Sequence, residues 1–285
     1  MKLVRFGPPG QEKPGAIDNE SGLRDLSTII PDISAATMAS GEVARLEQLD
    51  LSSLPLVEGS PRIGPPVSSV GKIVCVGLNY YDHAQESNME VPDEPLLFTK
   101  SPSAISGPFD PIVIPRNGRK TDWEVELVVV IGKRAAYLEP AQVPDHLAGF
   151  CLGNDLSERA FQLQGSGQWV KGKSCDSFAP IGPWLVNGKD IPSIDDLAIW
   201  LEVGQQRFQD ANTRDMMFKV NDIISYISQY MSLLPGDLVF TGTPPGVGLG
   251  QTPPVWLQAG DQVRCGIDGL GEQQQTVINW SDQVS

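Results

Sequence analysis

The sequence predicts a mainly β, β-dominated α+β fold, and three observations carry that prediction. Glycine and proline number 29 and 24 in 285 residues, which calls for many turns. The apolar residues gather in short runs of strand length. Sustained helical spacing is confined to about Val220 to Met231, where Ile223, Ile224, Ile227 and Tyr230 share a face, too little helix for a bundle.

Lys2 to Phe6 is the first expected strand; it enters a turn at Gly7 to Gly10, and Ala16 to Leu26 reads as further short strands. Ile33 to Leu49 suits short helices, and Leu51 to Pro66 is rich in Pro, Gly and Ser. Residues 1–66 are therefore expected to form a small N-terminal region and residues 67–285 the larger domain, with no long linker between them. Lys72 to Val76 is a short apolar strand that leads to a helix starting near Tyr81, and Leu96 to Lys100 and Ile112 to Ile114 are further strands. Asp122 to Ile131 alternates so that Val125, Leu127 and Val129 share one face while Glu124 and Glu126 share the other with Val128 and Val130. A short helix or turn at Pro140 to His146 precedes a strand from Ala148 to Leu152 that ends at Asn154 and Asp155. Gly165 to Gly172 reads as a loop. Trp184 to Val186, Ala198 to Val203 and Arg207 to Phe208 read as strands, Pro235 to Asp237 as a turn before the strand Leu238 to Thr241, and Gln262 to Ile267 with Gln274 to Asn279 as a closing hairpin.

Composition narrows the partners. Lys and Arg number 21 against 35 Asp and Glu, and a formal charge of −14 repels phosphate backbones, so nucleic acid is not an expected partner. No run is apolar and long enough to cross a bilayer, and Met1 is not followed by a basic region and long apolar stretch. No membrane partner is expected, and the cytoplasm is the expected location. Cys75, Cys151, Cys175 and Cys265 form no CxxC pair and read as buried reduced thiols.

Glu124 and Glu126 point the same way from one strand, and two like charges beside apolar residues cost several kcal/mol unless compensated, about the size of an unpaired buried charge. A hard divalent cation such as Mg²⁺ or Mn²⁺ would compensate them, with Asp155 as a third oxygen ligand. A solvated edge strand, or pairing to arginines, would do so equally. Asp122 reads as a turn or supporting group. His83 and Glu86 lie three apart, as neighbours on one helix face do, and form either a base with its orienting carboxylate or a surface contact. His146 has no such partner and reads as structural. Lys171 and Lys173 flank Gly172; on one side of an extended loop, either could neutralise an anion, or both could be solvated. The run Thr241 to Gly248 could offer backbone N–H groups and hydroxyls to an anion, but it has no P-loop lysine.

Six segments, in order, resemble the fumarylacetoacetate hydrolase family. They are Gly77-Leu78-Asn79-Tyr80 with His83 and Glu86; Lys100-Ser101-Pro102-Ser103; Asp122-Trp123-Glu124-Val125-Glu126-Leu127; Asn154-Asp155-Leu156-Ser157-Glu158-Arg159 with Gln162; Trp169-Val170-Lys171-Gly172-Lys173-Ser174 with Asp176 and Phe178; and Pro235-Gly236-Asp237 leading to Thr241-Gly242-Thr243-Pro244. The resemblance covers about Lys72 to Trp280. It implies a mixed β-sandwich roll with short helices, a homodimer, and Mg²⁺ or Mn²⁺ held by Glu124, Glu126 and Asp155. It implies that His83 and Glu86, on a short helical lid, activate water and that Lys173 is the active-site lysine. Lys100, Arg159, Gln162 and Thr243 are implied to face or support the substrate. The implied reaction is hydrolysis of a C–C bond in a small 2,4-dioxo acid, with pyruvate or another 2-oxo acid released. Oxaloacetate-type decarboxylation, keto-enol isomerisation and ureidoglycolate lyase activity use similar motifs, and a non-catalytic metabolite-binding module could keep the fold. The segment Phe161 to Pro183 is similar to bacterial diketo-deoxy-sugar-acid hydrolases, which implies a polyhydroxylated acyl group. Two departures stand out: Leu78 where some members have Arg, and Gly204-Gln205-Gln206 where many have an Asn-Gly hairpin turn.

Overall fold

The short apolar runs assemble into sheets in the computed structural model, which describes residues 1–283. Among the described residues the largest sheet has ten strands. From one edge it runs Leu23–Asp25, Lys13–Ile17, Lys2–Phe6, Leu185–Val186, Leu147–Asn154, Val125–Ile131, Leu238–Phe240, Ile73–Gly77 and Leu96–Lys100, with Ile63–Gly64 also paired to Lys2–Phe6. A five-stranded sheet runs Gln206–Asn212, Ala198–Val203, Gln262–Ile267, Gly271–Asn279 and Ile112–Ile114. The two sheets pack in a sandwich-like arrangement with short helices around them, the mainly β architecture expected of the chain. The strands of residues 1–66 extend the large sheet through pairing of Lys2–Phe6 with Leu185–Val186.

Val125–Ile131 lies inside that sheet and is buried at every position, as an apolar run covered on both faces must be. Its pairing to Leu147–Asn154 sets Val125 opposite Asn154. The N–H of Asp155 then donates to the carbonyl of Glu124 (2.8 Å), one step beyond both strand ends. This register brings together two carboxylates that lie far apart in sequence.

In Gly271–Asn279, the inward side chains are Gln273, Gln275 and Val277. Buried Gln273 has its amide satisfied by the carbonyls of Leu152, Pro180 and Gly182 (3.1, 3.3 and 3.2 Å). The Gly204-Gln205 hairpin closes as a two-residue turn between Val203 and Gln206, with Gly204 at φ 62°, so the departure from Asn-Gly leaves the hairpin intact.

One expectation needs correction. Gly165 to Gly172 is a loop only in its first part, because Trp169–Lys173 is a helical turn. Lys171 and Lys173 therefore do not share a side: Lys171 is exposed near Ser166, whereas Lys173 is buried. Gly172 permits this packing, since a Cβ there would sit 2.5 Å from the backbone N of Gln162 and 2.6 Å from the carbonyl oxygen of Glu158. Gly172→Ala is expected to destabilise the chain by about 1–3 kcal/mol through overpacking against backbone and to displace Lys173. Urea unfolding midpoints of wild type and variant measure the first effect, and turnover measures the second.

Candidate active site

The ends of the central strands open into a cavity of about 230 Å³. Glu124 and Glu126 reach it from the start of Val125–Ile131, His83 from the helix Tyr81–Glu86, Arg159 and Gln162 from the helix Arg159–Leu163, Lys173 from the turn Trp169–Lys173, and Thr243 from the segment after Leu238–Phe240. Asp155 lies directly behind this lining, fully buried. Carboxylate oxygens of Glu124, Glu126 and Asp155 all lie within 4.8 Å of one another.

Buried cations hold this cluster. Lys173 Nζ donates to Glu124 Oε2 (2.5 Å) and Asp155 Oδ2 (2.7 Å). Lys100 donates to Asp155 Oδ1 and, at 3.0 Å, to the carbonyl of Leu156; it sits behind Asp155 and does not line the cavity. Arg159 donates through Nε to Asp122 (2.8 Å), through Nη2 to Glu124 (2.6 Å) and through Nη1 to the Gln162 side-chain oxygen Oε1 (3.0 Å). It therefore aligns groups around the cavity, and the Gln162 amide N–H₂ remains the free donor of that pair. The Thr243 hydroxyl donates to the Val125 carbonyl (2.9 Å) and accepts from Gln209 (2.8 Å), so a substrate carboxylate would have to displace the bond to Val125 to accept from it.

The electrostatics are uneven. Burial alone would raise the Glu124 pKa, but Lys173 and Arg159 outweigh it and hold that carboxyl well below the usual range. Burial, Asp155 and Glu124 push Glu126 the other way, well above the usual carboxylate value, with a single donor, the Gly242 N–H at 2.7 Å. Burial opposes the Lys173 ammonium, yet Asp155 and Glu124 raise its pKa overall. With Glu126 ionised, as an ion's ligand must be, Asp122, Glu124, Glu126 and Asp155 exceed Lys100, Arg159 and Lys173 by one negative charge, and without a further cation Glu126 is pushed toward its neutral form. Convergent hard oxygen ligands, one of them short of compensating charge, are a donor set that fits a divalent Mg²⁺ or Mn²⁺ ion.

His83 is buried, and its Nδ1 meets Glu86 Oε1 at 2.8 Å. Glu86 also accepts from the backbone N–H of Gly246 (2.9 Å) and of Val247 (3.4 Å). As a multiple acceptor it favours the tautomer of the neutral His83 ring that carries its proton on Nδ1 and directs Nε2 away from Glu86. His83, Glu124 and Glu126 thus border one cavity, with Glu86 bonded to His83 and Asp155 bonded to Lys173 from outside the lining. His146 bonds the Arg134 carbonyl, away from this lining.

Two supporting residues complete the network: Asp122, expected from the sequence as a turn or supporting group, and Gln209, which the sequence did not single out. Asp122 accepts from Arg159, Gly248 N (2.6 Å) and Leu249 N (3.0 Å), tying the segment beside Glu86 to the Glu124 side of the cavity. Gln209, from the smaller sheet, accepts from Val125 N (3.0 Å) and fixes Thr243. Asp122 could be found from its place two residues before Glu124, whereas Gln209 depends on sheet packing. Leu78 holds φ 55°, a conformation uncommon for a residue with a Cβ, on the cavity wall.

Comparison with known proteins matches residues 72–278 to the family model described as fumarylacetoacetate (FAA) hydrolase C-terminal. A Burkholderia multivorans protein whose name assigns it provisionally to the hydrolases is 53% identical over 276 residues, covering 96% of this chain and 98% of its own. The fumarylacetoacetate hydrolase of psychrophilic Exiguobacterium antarcticum superposes with a TM-score of 0.87 at 32% identity, over 98% of this chain and 99% of that one. Maleylpyruvate hydrolase from Sphingobium sp. SYK-6, solved with manganese(II) ion and pyruvate, gives a TM-score of 0.81 at 27% identity over 98% and 99%.

Proposed function

The chain belongs to the fumarylacetoacetate hydrolase family, and from that premise we propose that it hydrolyses a C–C bond in a small 2,4-dioxo acid, releasing pyruvate or a related 2-oxo acid. The observation that carries the reading is the convergence of Glu124, Glu126 and Asp155 with the His83–Glu86 pair around one cavity. Glu124, Glu126 and Asp155 would hold Mg²⁺ or Mn²⁺, which supplies Lewis acidity to the oxygens of the 2-oxo acid end.

The protein's own groups account for the remaining chemistry. His83 takes a proton from water at Nε2 while Glu86 stabilises the charge gained by the ring through Nδ1. The resulting hydroxide adds to the C4 carbonyl, towards which Gln162 can present its free amide donor. The C3–C4 bond breaks, its electron pair passes to C3 as an enolate, and the proton held by His83 returns to C3. The acyl half leaves as a carboxylic acid. Lys173, buried and cationic beside the cluster, offsets the negative charge that develops on the pyruvate half.

A pyruvate-release assay over acylpyruvates tests this reading. Turnover is expected with added Mn²⁺ or Mg²⁺, falling to background after chelation and returning when the ion is restored. Carbon dioxide release from oxaloacetate, or double-bond migration without cleavage, would replace hydrolysis by decarboxylation or isomerisation. Binding without turnover across the panel would favour a metabolite-binding module.

A further inference from the structure

One side of the cavity wall beyond the carboxylates is apolar, formed by Leu78, Met89, Phe98, Leu163 and Trp169. Phe98 stands beside Lys173, with Nζ 5.0 Å from its ring centroid, and Trp169 continues outward edge-on to Phe98 at 5.3 Å. Leu78 completes the buried part, while Leu163 and Met89 are 44% and 39% exposed and belong to the same lining. The aromatic pair thus leads from the buried charges towards a mouth with an apolar rim.

The lining's cations already neutralise carboxylates of the chain itself. Arg159 serves Asp122, Glu124 and Gln162, and Lys173 serves Glu124 and Asp155. Lys100 stands behind Asp155. Among the described residues of the lining, the lysine and arginine present, Lys173 and Arg159, are each already paired with two buried carboxylates, and Leu78 places an apolar side chain on the wall beside them. An anionic arm placed against Phe98, Trp169 and Leu78 would lose hydration without a partner. An apolar arm would instead gain by leaving water.

We infer that the site selects 2-oxo acids carrying one carboxylate and an apolar arm, and discriminates against arms ending in a second carboxylate. This substrate class rests on the proposed reading only in assigning the 2-oxo acid end to the carboxylate cluster. It differs from the polyhydroxylated arm implied by the resemblance to sugar-acid hydrolases, because this wall supplies few hydrogen-bond partners for several hydroxyls.

The matched probes are 2-oxohexanoate and 2-oxoadipate, equal in chain length and different at the far end. Calorimetric titration into the Mn²⁺-supplemented protein is expected to show 2-oxohexanoate binding roughly tenfold or more tightly, the range over which a pocket separates such ligands. Leu78→Arg is expected to shrink or invert the ratio, and Leu163→Arg at the rim is the second variant should the strained Leu78 position tolerate no change. Equal or tighter binding of 2-oxoadipate by the wild type, or failure of both to bind, overturns the inference. Pyruvate release is measured separately, so its absence would sink the hydrolytic reading while leaving the binding ratio to decide the ligand class.

Discussion

His83→Ala is expected to lower kcat for pyruvate release by roughly 10²–10⁴-fold, the usual contribution of a positioned general base. Affinity for Mn²⁺ should stay close to wild type, because His83 meets Glu86 and not the carboxylate cluster. The fold should also persist: the helix Tyr81–Glu86 keeps its backbone bonds, and Glu86 keeps its bonds to Gly246 and Val247. Stopped-flow pyruvate detection together with a Mn²⁺ titration separates the two effects. Turnover within a fewfold of wild type would remove the dyad from the mechanism.

Asp155→Ala has the second large expected effect, and it acts on stability as well as on activity. The change removes the acceptor shared by Lys100 and Lys173. Lys173 keeps Glu124, but Lys100 keeps only the Leu156 carbonyl at 3.0 Å. A buried ammonium without its counter-charge costs about 3–5 kcal/mol. The variant is therefore expected to unfold at clearly lower urea concentration and to lose metal-dependent turnover. Asp155→Asn keeps the shape and one acceptor, so it should recover part of the stability without recovering turnover. A stable, active Asp155→Ala chain would mean that the carboxylate neither anchors the lysines nor serves an ion.

Much of this architecture was legible from local pattern. Val125–Ile131 could be read because its apolar residues occupy both faces, and Val220–Tyr230 because its isoleucines recur at helical spacing. The cost of placing Glu124 and Glu126 on one face was equally visible. Spacing did not bring in Asp155, whose place follows from the pairing of Val125 with Asn154; the family resemblance supplied it before the register was seen. The turn Trp169–Lys173 was hidden because two glycines and a serine precede it and Gly172 lies within it, residues that signal a loop until tertiary packing demands a close approach. Gln273 and Gln275 face inward for a similar reason, since the carbonyls they satisfy belong to distant segments. The commitment of Arg159 and Thr243 to protein partners is likewise tertiary, and it moves the expected free donor to Gln162.

On this reading Glu124, Glu126 and Asp155 form one divalent-metal site. Calorimetric titration of Mn²⁺ into the metal-stripped chain and into Glu126→Gln tests it most directly, because glutamine keeps an acceptor for the Gly242 N–H and changes only the ligand's charge. One Mn²⁺ per chain is expected for the wild type, with affinity at least about tenfold weaker in the variant, as loss of a charged oxygen ligand demands. Equal affinity in the two proteins, or no binding by the wild type, would contradict the claim.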